Sequence, residues 1–186
     1  MTITIDCFKA YDIRGQIPTQ LNPDVAYRIG NATAEFLGAK RVVVGRDIRL
    51  SSAELTDAVC KGLIEAGVDV LDIGLGGTEM VYFATSHLRA DGGIMITASH
   101  NPADYNGLKL VREDARPISG DSGLQAIRVL AEKDERKAGS APGSRKSVDI
   151  FDTYIQHLLT YIDLEQLKPL KLVLNPGNGG AGIAAG

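Results

Sequence analysis

The stretch Arg41-Val42-Val43-Val44-Gly45-Arg46-Asp47 sets the fold class. Three consecutive valines closed by a glycine give no polar alternation, the pattern of a parallel strand buried on both faces. Ser51-Ser52-Ala53-Glu54 follows and reads as a capping box, opening a helix through Leu55, Val59, Leu63 and Ile64 to Gly67. Val68 to Gly74 then supplies another strand. Strand, loop, helix and strand in this order predict an α/β fold: a mixed, mainly parallel sheet with helices on both faces.

Upstream, Asn22-Pro23 combines an N-capping amide with proline at the first helical position. Val25, Ile29, Ala32 and Phe36 recur at helical spacing up to Gly38. Asn31-Ala32-Thr33 fits a glycosylation sequon and is expected on this helix's surface. Downstream, Gly76-Gly77-Thr78 opens a helix ending near His87, and His87 is expected to be a helix-end residue without catalytic duty.

Gly92-Gly93-Ile94-Met95-Ile96 is the next buried strand, and it delivers Thr97-Ala98-Ser99-His100-Asn101-Pro102 to a sheet edge. Proline fixes its own φ and biases Asn101 away from helix, so the loop is expected to be rigid. A serine held on a rigid loop suits a nucleophile or a carrier of a covalent group, although many such hydroxyls only bond to backbone. Adjacent side chains of an extended segment point opposite ways, which disfavours a hydrogen-bonded Ser99 and His100 pair. The Gly-x-Ser-x-Gly elbow is missing as well. Phosphoryl transfer, which depends on positioning and cations, therefore suits Ser99 better than acyl transfer.

Gly107 to Val111 returns as a strand, so Lys109 is expected to point back toward Ser99, with a solvated lysine as the alternative. Near the start, Tyr11-Asp12-Ile13-Arg14-Gly15 is a short strand and loop. Arg14 could meet an anionic ligand or simply pair with Asp12. Arg46 and Asp47 fit loop bracing better than ligand contact.

The chain has 186 residues, with 44% hydrophobic and 23% charged residues and a net charge of −3. That composition fits a soluble globular protein with one full domain and part of another, and it lacks the basic footprint of a nucleic-acid binder. Phosphate recognition would fall to individual cations such as Arg14, Arg46 and Lys109. Cys7 and Cys60 form no metal-ligand or Cys-x-x-Cys pattern and are expected to be reduced, buried thiols of a cytoplasmic protein. No secretory leader and no membrane-spanning apolar run is apparent.

A helix from Gly123 gives way to the charge run at 132–137, expected as a solvated helix end, and then to linker composition. The first domain is placed at 1–140, a linker at 141–148 and the incomplete start of a second α/β domain at 149–186. That second part should hold a helix over 149–161 and a strand at Lys171–Asn175. Gly177-x-Gly179-x-x-Gly182 after it matches a dinucleotide-binding fingerprint, a weak pattern on its own.

Thr97 to Pro102 with the following Ala103 to Lys109 resembles the phosphoserine signature of the α-D-phosphohexomutases. Phe8-Lys9-Ala10-Tyr11-Asp12-Ile13-Arg14-Gly15 is similar to the form found in bacterial phosphomannomutase/phosphoglucomutase enzymes. The resemblance implies a phosphate on Ser99 that passes to a hexose 1- or 6-phosphate through a bisphosphate intermediate, with Mg2+ as cofactor. It implies catalytic roles for Ser99, His100 and Lys109, with Lys109 as general acid/base, and substrate contacts from Tyr11 and Arg14. Ser99 would be a metal ligand through its phosphate. The family's Asp-Gly-Asp-x-Asp-Arg metal loop is not in this sequence, so the other metal ligands are expected beyond Gly186, and the chain alone is expected to be an inactive amino-terminal piece. A phosphosugar is the implied partner, mannose ahead of glucose. A naturally short, non-catalytic phosphosugar-binding remnant is the alternative.

Overall fold

The computed structural model describes residues 3–133, 135–175 and 179–180. A six-stranded sheet runs in the order β1-β5-β4-β2-β3-β6. Its strands are β1 (Ile13–Gln16), β2 (Arg41–Arg46), β3 (Asp69–Leu75), β4 (Gly92–Ile96), β5 (Tyr105–Arg112) and β6 (Arg145–Ser147). β4, β2, β3 and β6 are mutually parallel, whereas β5 is antiparallel to both β4 and β1. This is the mixed, mainly parallel sheet expected.

Helices lie on both faces. α1 (Pro23–Leu37), α2 (Ser52–Glu65) and α4 (Leu124–Glu132) bury Ile29, Leu55, Leu63 and Ile127 against Val42, Val44, Ile94 and Leu108. α3 (Thr78–His87) and α5 (Phe151–Leu159) cover the other face, where Val81 and Tyr154 meet Val43 and Met95. Strand alternation explains the division, since neighbouring residues of β2 and β4 belong to opposite cores.

The start and end of α1 are as the sequence predicts. Asn22 accepts a hydrogen bond from the Val25 amide, Pro23 is the first helical residue, and Gly38 closes the helix at φ 58°. α1 and α2 cross so closely that a Cβ on Gly30 would strike the Val59 carbonyl oxygen, and one on Gly62 that of Tyr27.

Several local expectations are corrected. Ser51 makes no capping hydrogen bond to α2, because its hydroxyl accepts instead from Asn106 Nδ2 at 2.8 Å. Asn31 is buried rather than on the helix surface. Its amide donates to the Gly62 and Lys137 carbonyls and accepts from the Lys137 amide, so it spends its polarity tying chain segments together. Glu132 is not simply solvated either: Oε1 accepts from the Ile5 amide and from Arg128 Nε, both at 2.9 Å. Within the span expected to be linker, Arg145–Ser147 adds a parallel strand to β3, and Arg145 bridges Asp57 and Asp72. Lys171–Asn175 is not among the strands of the described residues. Most of the Gly177-x-Gly179-x-x-Gly182 stretch lies outside the described residues, as does Gly186, the position beyond which the remaining metal ligands are expected. No described helix is long and apolar enough to cross a membrane.

Candidate active site

β4 ends at Ile96 and the chain turns at once: the Thr97 amide donates to the Gly107 carbonyl, and the Ser99 amide to Thr97 Oγ1 at 2.9 Å. Ser99 has φ 54°, in the left-handed region that non-glycine residues seldom occupy. Its side chain is exposed and contributes to a cavity of about 580 Å³ together with Asp47, Arg49, Thr78, Met95 and Thr97.

The left-handed turn changes the expected relation of Ser99 to His100. Because the segment is not extended there, Ser99 Oγ and His100 Nδ1 come within 3.5 Å, the outer limit of a hydrogen bond, with both residues exposed.

Two guanidinium groups grip the loop. Arg14 donates through Nη1 to the Ala98 carbonyl at 3.1 Å and to Asn101 Oδ1 at 2.6 Å. Arg49 donates through Nη1 to the carbonyls of Pro102 and Tyr105 at 2.7 and 3.0 Å, and through Nη2 to those of Ser99 and Asn101 at 2.8 and 2.6 Å. Arg49 is itself braced by Asp47, whose carboxylate lies 3.4 Å from Arg49 Nε and accepts from the Arg49 amide and from Ser52 Oγ. Below them, the fully buried Asn106 donates to both Ser51 and Ser52. Asp47 thus holds loops together, as its sequence position suggested.

Sheet geometry gathers the other cations. Ile13, Leu108 and Leu110 point into the α1/α2 core, so Arg14 and Lys109, one residue out of phase, emerge on the face shared with Met95. There Asp12 Oδ2 accepts from Arg14 Nε at 2.9 Å and Lys109 Nζ at 3.1 Å. The Arg14–Asp12 pair is therefore present, and it leaves the Nη1 end of Arg14 on the serine loop. Burial, with the nearby Asp12 carboxylate adding to it, raises the Tyr82 phenol's pKa on α3.

Ser99, His100, Arg14 and Lys109 are thus joined through the loop and Asp12. Tyr11 stands apart, 81% exposed at the tip of the turn closed by the Phe8–Ile13 bridge. Neither Tyr11, Arg14, His100 nor Lys109 lines the cavity itself. His87 stacks on Phe83 with centroids 5.0 Å apart.

Sequence reasoning missed Arg49 and the part played by Asp12. Arg49's signal was its place in the loop after a parallel strand's carboxyl end, where ligand sites concentrate in such sheets. Asp12 stands two residues before Arg14, a spacing that puts both on one side of an extended segment.

The domain is thus a mixed, mainly parallel α/β sheet that presents a clamped, exposed serine beside grouped cations. Residues 6–138 match the family described as "Phosphoglucomutase/phosphomannomutase, alpha/beta/alpha domain I", and the chain belongs to this family. It is 57% identical over 180 residues to a phosphomannomutase of Salmonella montevideo, covering 96% of this chain and 40% of that protein. Over 181 residues it is 55% identical to a protein of Xanthomonas campestris pv. campestris (strain B100) named "Phosphohexose mutases", covering 97% and 40%. A crystal structure of a phosphoglucomutase/phosphomannomutase family protein from Burkholderia thailandensis superposes with TM-score 0.87 at 41% identity, covering 98% of this chain and 41% of that one. The chain thus spans about two fifths of the length of these relatives.

Proposed function

We propose that this chain is the nucleophile-bearing part of a phosphohexomutase, which interconverts hexose 1-phosphate and hexose 6-phosphate, with mannose preferred over glucose. The observation that carries the reading is Ser99: an exposed hydroxyl on a left-handed backbone, fixed by two arginines at a cavity large enough for a phosphosugar. Relatives named phosphomannomutase support the substrate class.

In this reading phosphate resides on Ser99 Oγ. The free hydroxyl of a hexose monophosphate attacks that phosphorus, forming the new O–P bond as the Oγ–P bond breaks. The hydroxyl's proton leaves the sugar oxygen, and Ser99 Oγ takes one up. The bisphosphate so formed then returns its other phosphate to Ser99, giving the isomeric monophosphate. Lys109 is proposed as the general acid/base, and its tether to Asp12 fixes where the ammonium sits. His100, 3.5 Å from Oγ, positions the serine or relays a proton. Arg14 and Tyr11 contact or orient the sugar phosphate.

Mg2+ would neutralise charge on the transferred group, with the Ser99 phosphate as one ligand. The carboxylates near the loop do not complete a shell. Asp47 is engaged by Arg49 and Ser52, and Asp12 by Arg14 and Lys109. Among the described residues no group of three acidic, histidine or cysteine side chains could hold a metal. The remaining ligands are accordingly proposed to come from chain beyond Gly186, in the natural full-length protein. Residues 1–186 alone are proposed to be inactive.

Ser99→Ala in the natural full-length protein, assayed with mannose 1-phosphate and glucose 1-phosphate, tests the proposal. Turnover should disappear while the fold persists, since an exposed loop hydroxyl adds little to packing. Near-normal activity would sink the assignment.

A further inference from the structure

Arg49 makes more contact with the serine loop than any residue the sequence singled out. Its two terminal nitrogens donate to four carbonyls, those of Ser99, Asn101, Pro102 and Tyr105, and its Nε faces Asp47. The four N–H groups of the two terminal nitrogens are thereby occupied. A phosphate approaching Ser99 would find none of them free, so Arg49 cannot serve as a ligand for it without releasing the loop.

We infer that Arg49 is a positioning residue, which holds the Ser99 backbone in its left-handed conformation and so keeps Oγ aimed at the incoming phosphosugar. This deepens the phosphohexomutase reading and rests on it. Four observations converge. Ser99 has φ 54°, and its own carbonyl is one of the four that Arg49 grips. The four carbonyls belong to residues on both limbs of the loop, so a single planar group fixes its closure. The Arg49 side chain is only 14% exposed. Finally, Asp47 is anchored to the start of α2 through Ser52, and Ser52 to the buried Asn106, which makes the clamp continuous with the core. Arg14 grips the same loop, but through one carbonyl and one side chain, and its Nε remains with Asp12.

Lysine cannot replace this arrangement. An ammonium offers three donors from one point and lacks the planar fork needed to reach carbonyls on both limbs. Arg49→Lys therefore keeps the charge and removes the geometry. A nucleophile displaced by about 1 Å costs on the order of 100-fold in rate. Because the terminal N–H groups of Arg49 are spent on the loop carbonyls, KM should stay within about threefold of wild type.

The experiment compares wild type, R49K, R49Q and S99A in the full-length protein. It measures kcat and KM with mannose 1-phosphate, melting temperature, and hydrogen exchange of the Ser99–Asn101 amides. The expected result is a folded R49K protein with kcat down about 100-fold, KM little changed and faster exchange confined to the loop, with R49Q behaving alike. If R49K is folded and turns over at the wild-type rate, the positioning role is refuted. It is refuted equally if KM rises while kcat holds, because Arg49 would then be binding substrate. Should R49K not fold, R49Q decides by the same criteria. Failure of the underlying reading looks different: S99A would remain active whatever the Arg49 variants do.

Discussion

Gly62→Ala sets two opposing effects against each other at the crossing of α1 and α2. In an exposed helix the change stabilises by about 1 kcal/mol, because alanine loses less backbone freedom than glycine. Here the added methyl would run into the Tyr27 carbonyl oxygen and lie 2.8 Å from the Asn31 amide nitrogen, both backbone atoms of the facing helix. Backbone cannot rotate aside as a side chain can. Reciprocal contact of Gly30 with Val59 prevents α1 from sliding to make room. The helices must therefore separate, loosening Leu55, Val59 and Leu63 in the core and stretching the Asn31 bond to the Gly62 carbonyl. Overpacking of this kind costs about 3 kcal/mol at the upper end of its usual range. The net loss is then about 2 kcal/mol, which lowers the melting temperature by about 4–8 °C in a chain of this size. Urea unfolding of the 186-residue chain, followed by circular dichroism, measures it as a lower midpoint at unchanged slope. Lys61→Ala, on the same helix but with a side chain 70% exposed, is the control and should move the midpoint little. A Gly62→Ala protein as stable as wild type, or more so, would refute the close-crossing argument.

On the phosphohexomutase proposal, Asp12→Asn should cut turnover of the full-length protein strongly and lower stability by about 1–3 kcal/mol, since a neutral amide leaves Arg14 and Lys109 without their shared counter-charge; kinetics and urea unfolding check it, and unchanged values for both would remove Asp12 from the site. Burial opposes ionisation of Glu132, but the Ile5 amide and the Arg128 guanidinium outweigh it and hold the carboxyl's pKa below its usual value. This contribution to stability is therefore complete above the ordinary glutamate range and is lost as pH falls through the lowered value; Glu132→Gln should flatten that part of an acid-unfolding curve. Burial pushes the Cys7 thiol up to about 11 and the Cys60 thiol up to about 12, so neither should react with a thiol reagent at about pH 8 in the native chain and both should react in urea. Labelling of the native chain at the unfolded rate would contradict their burial.

What could be read from the sequence was what depends on short-range pattern. The valines of β2, the glycine-bounded β4 and the Asn22-Pro23 start of α1 each carry their signal within a few residues, and each forms where expected. The serine loop was equally plain, because Asn101-Pro102 fixes a turn locally. Partner choice was not. Ser51 looks like a cap until Asn106, 55 positions away, takes its hydroxyl. Asn31 looks like surface until the 135–139 segment crosses over it, and Arg145–Ser147 reads as linker until β3 offers it an edge. Arg49 escaped notice for the same reason: the four carbonyls that define its role belong to backbone, which bears no mark in a sequence.

The antiparallel placement of β5 between β1 and β4 also sets the order in which this site can come into being. Arg14 meets its loop partners across 84 and 87 positions, and Lys109 reaches Asp12 across 97. Such closures cost more loop entropy than contacts between elements adjacent in sequence. During synthesis the serine loop would leave the ribosome before the lysine that completes its surroundings. Assembly of the site is thus tied to completion of the sheet, and a chain with β5 undocked carries every one of these side chains while possessing no site.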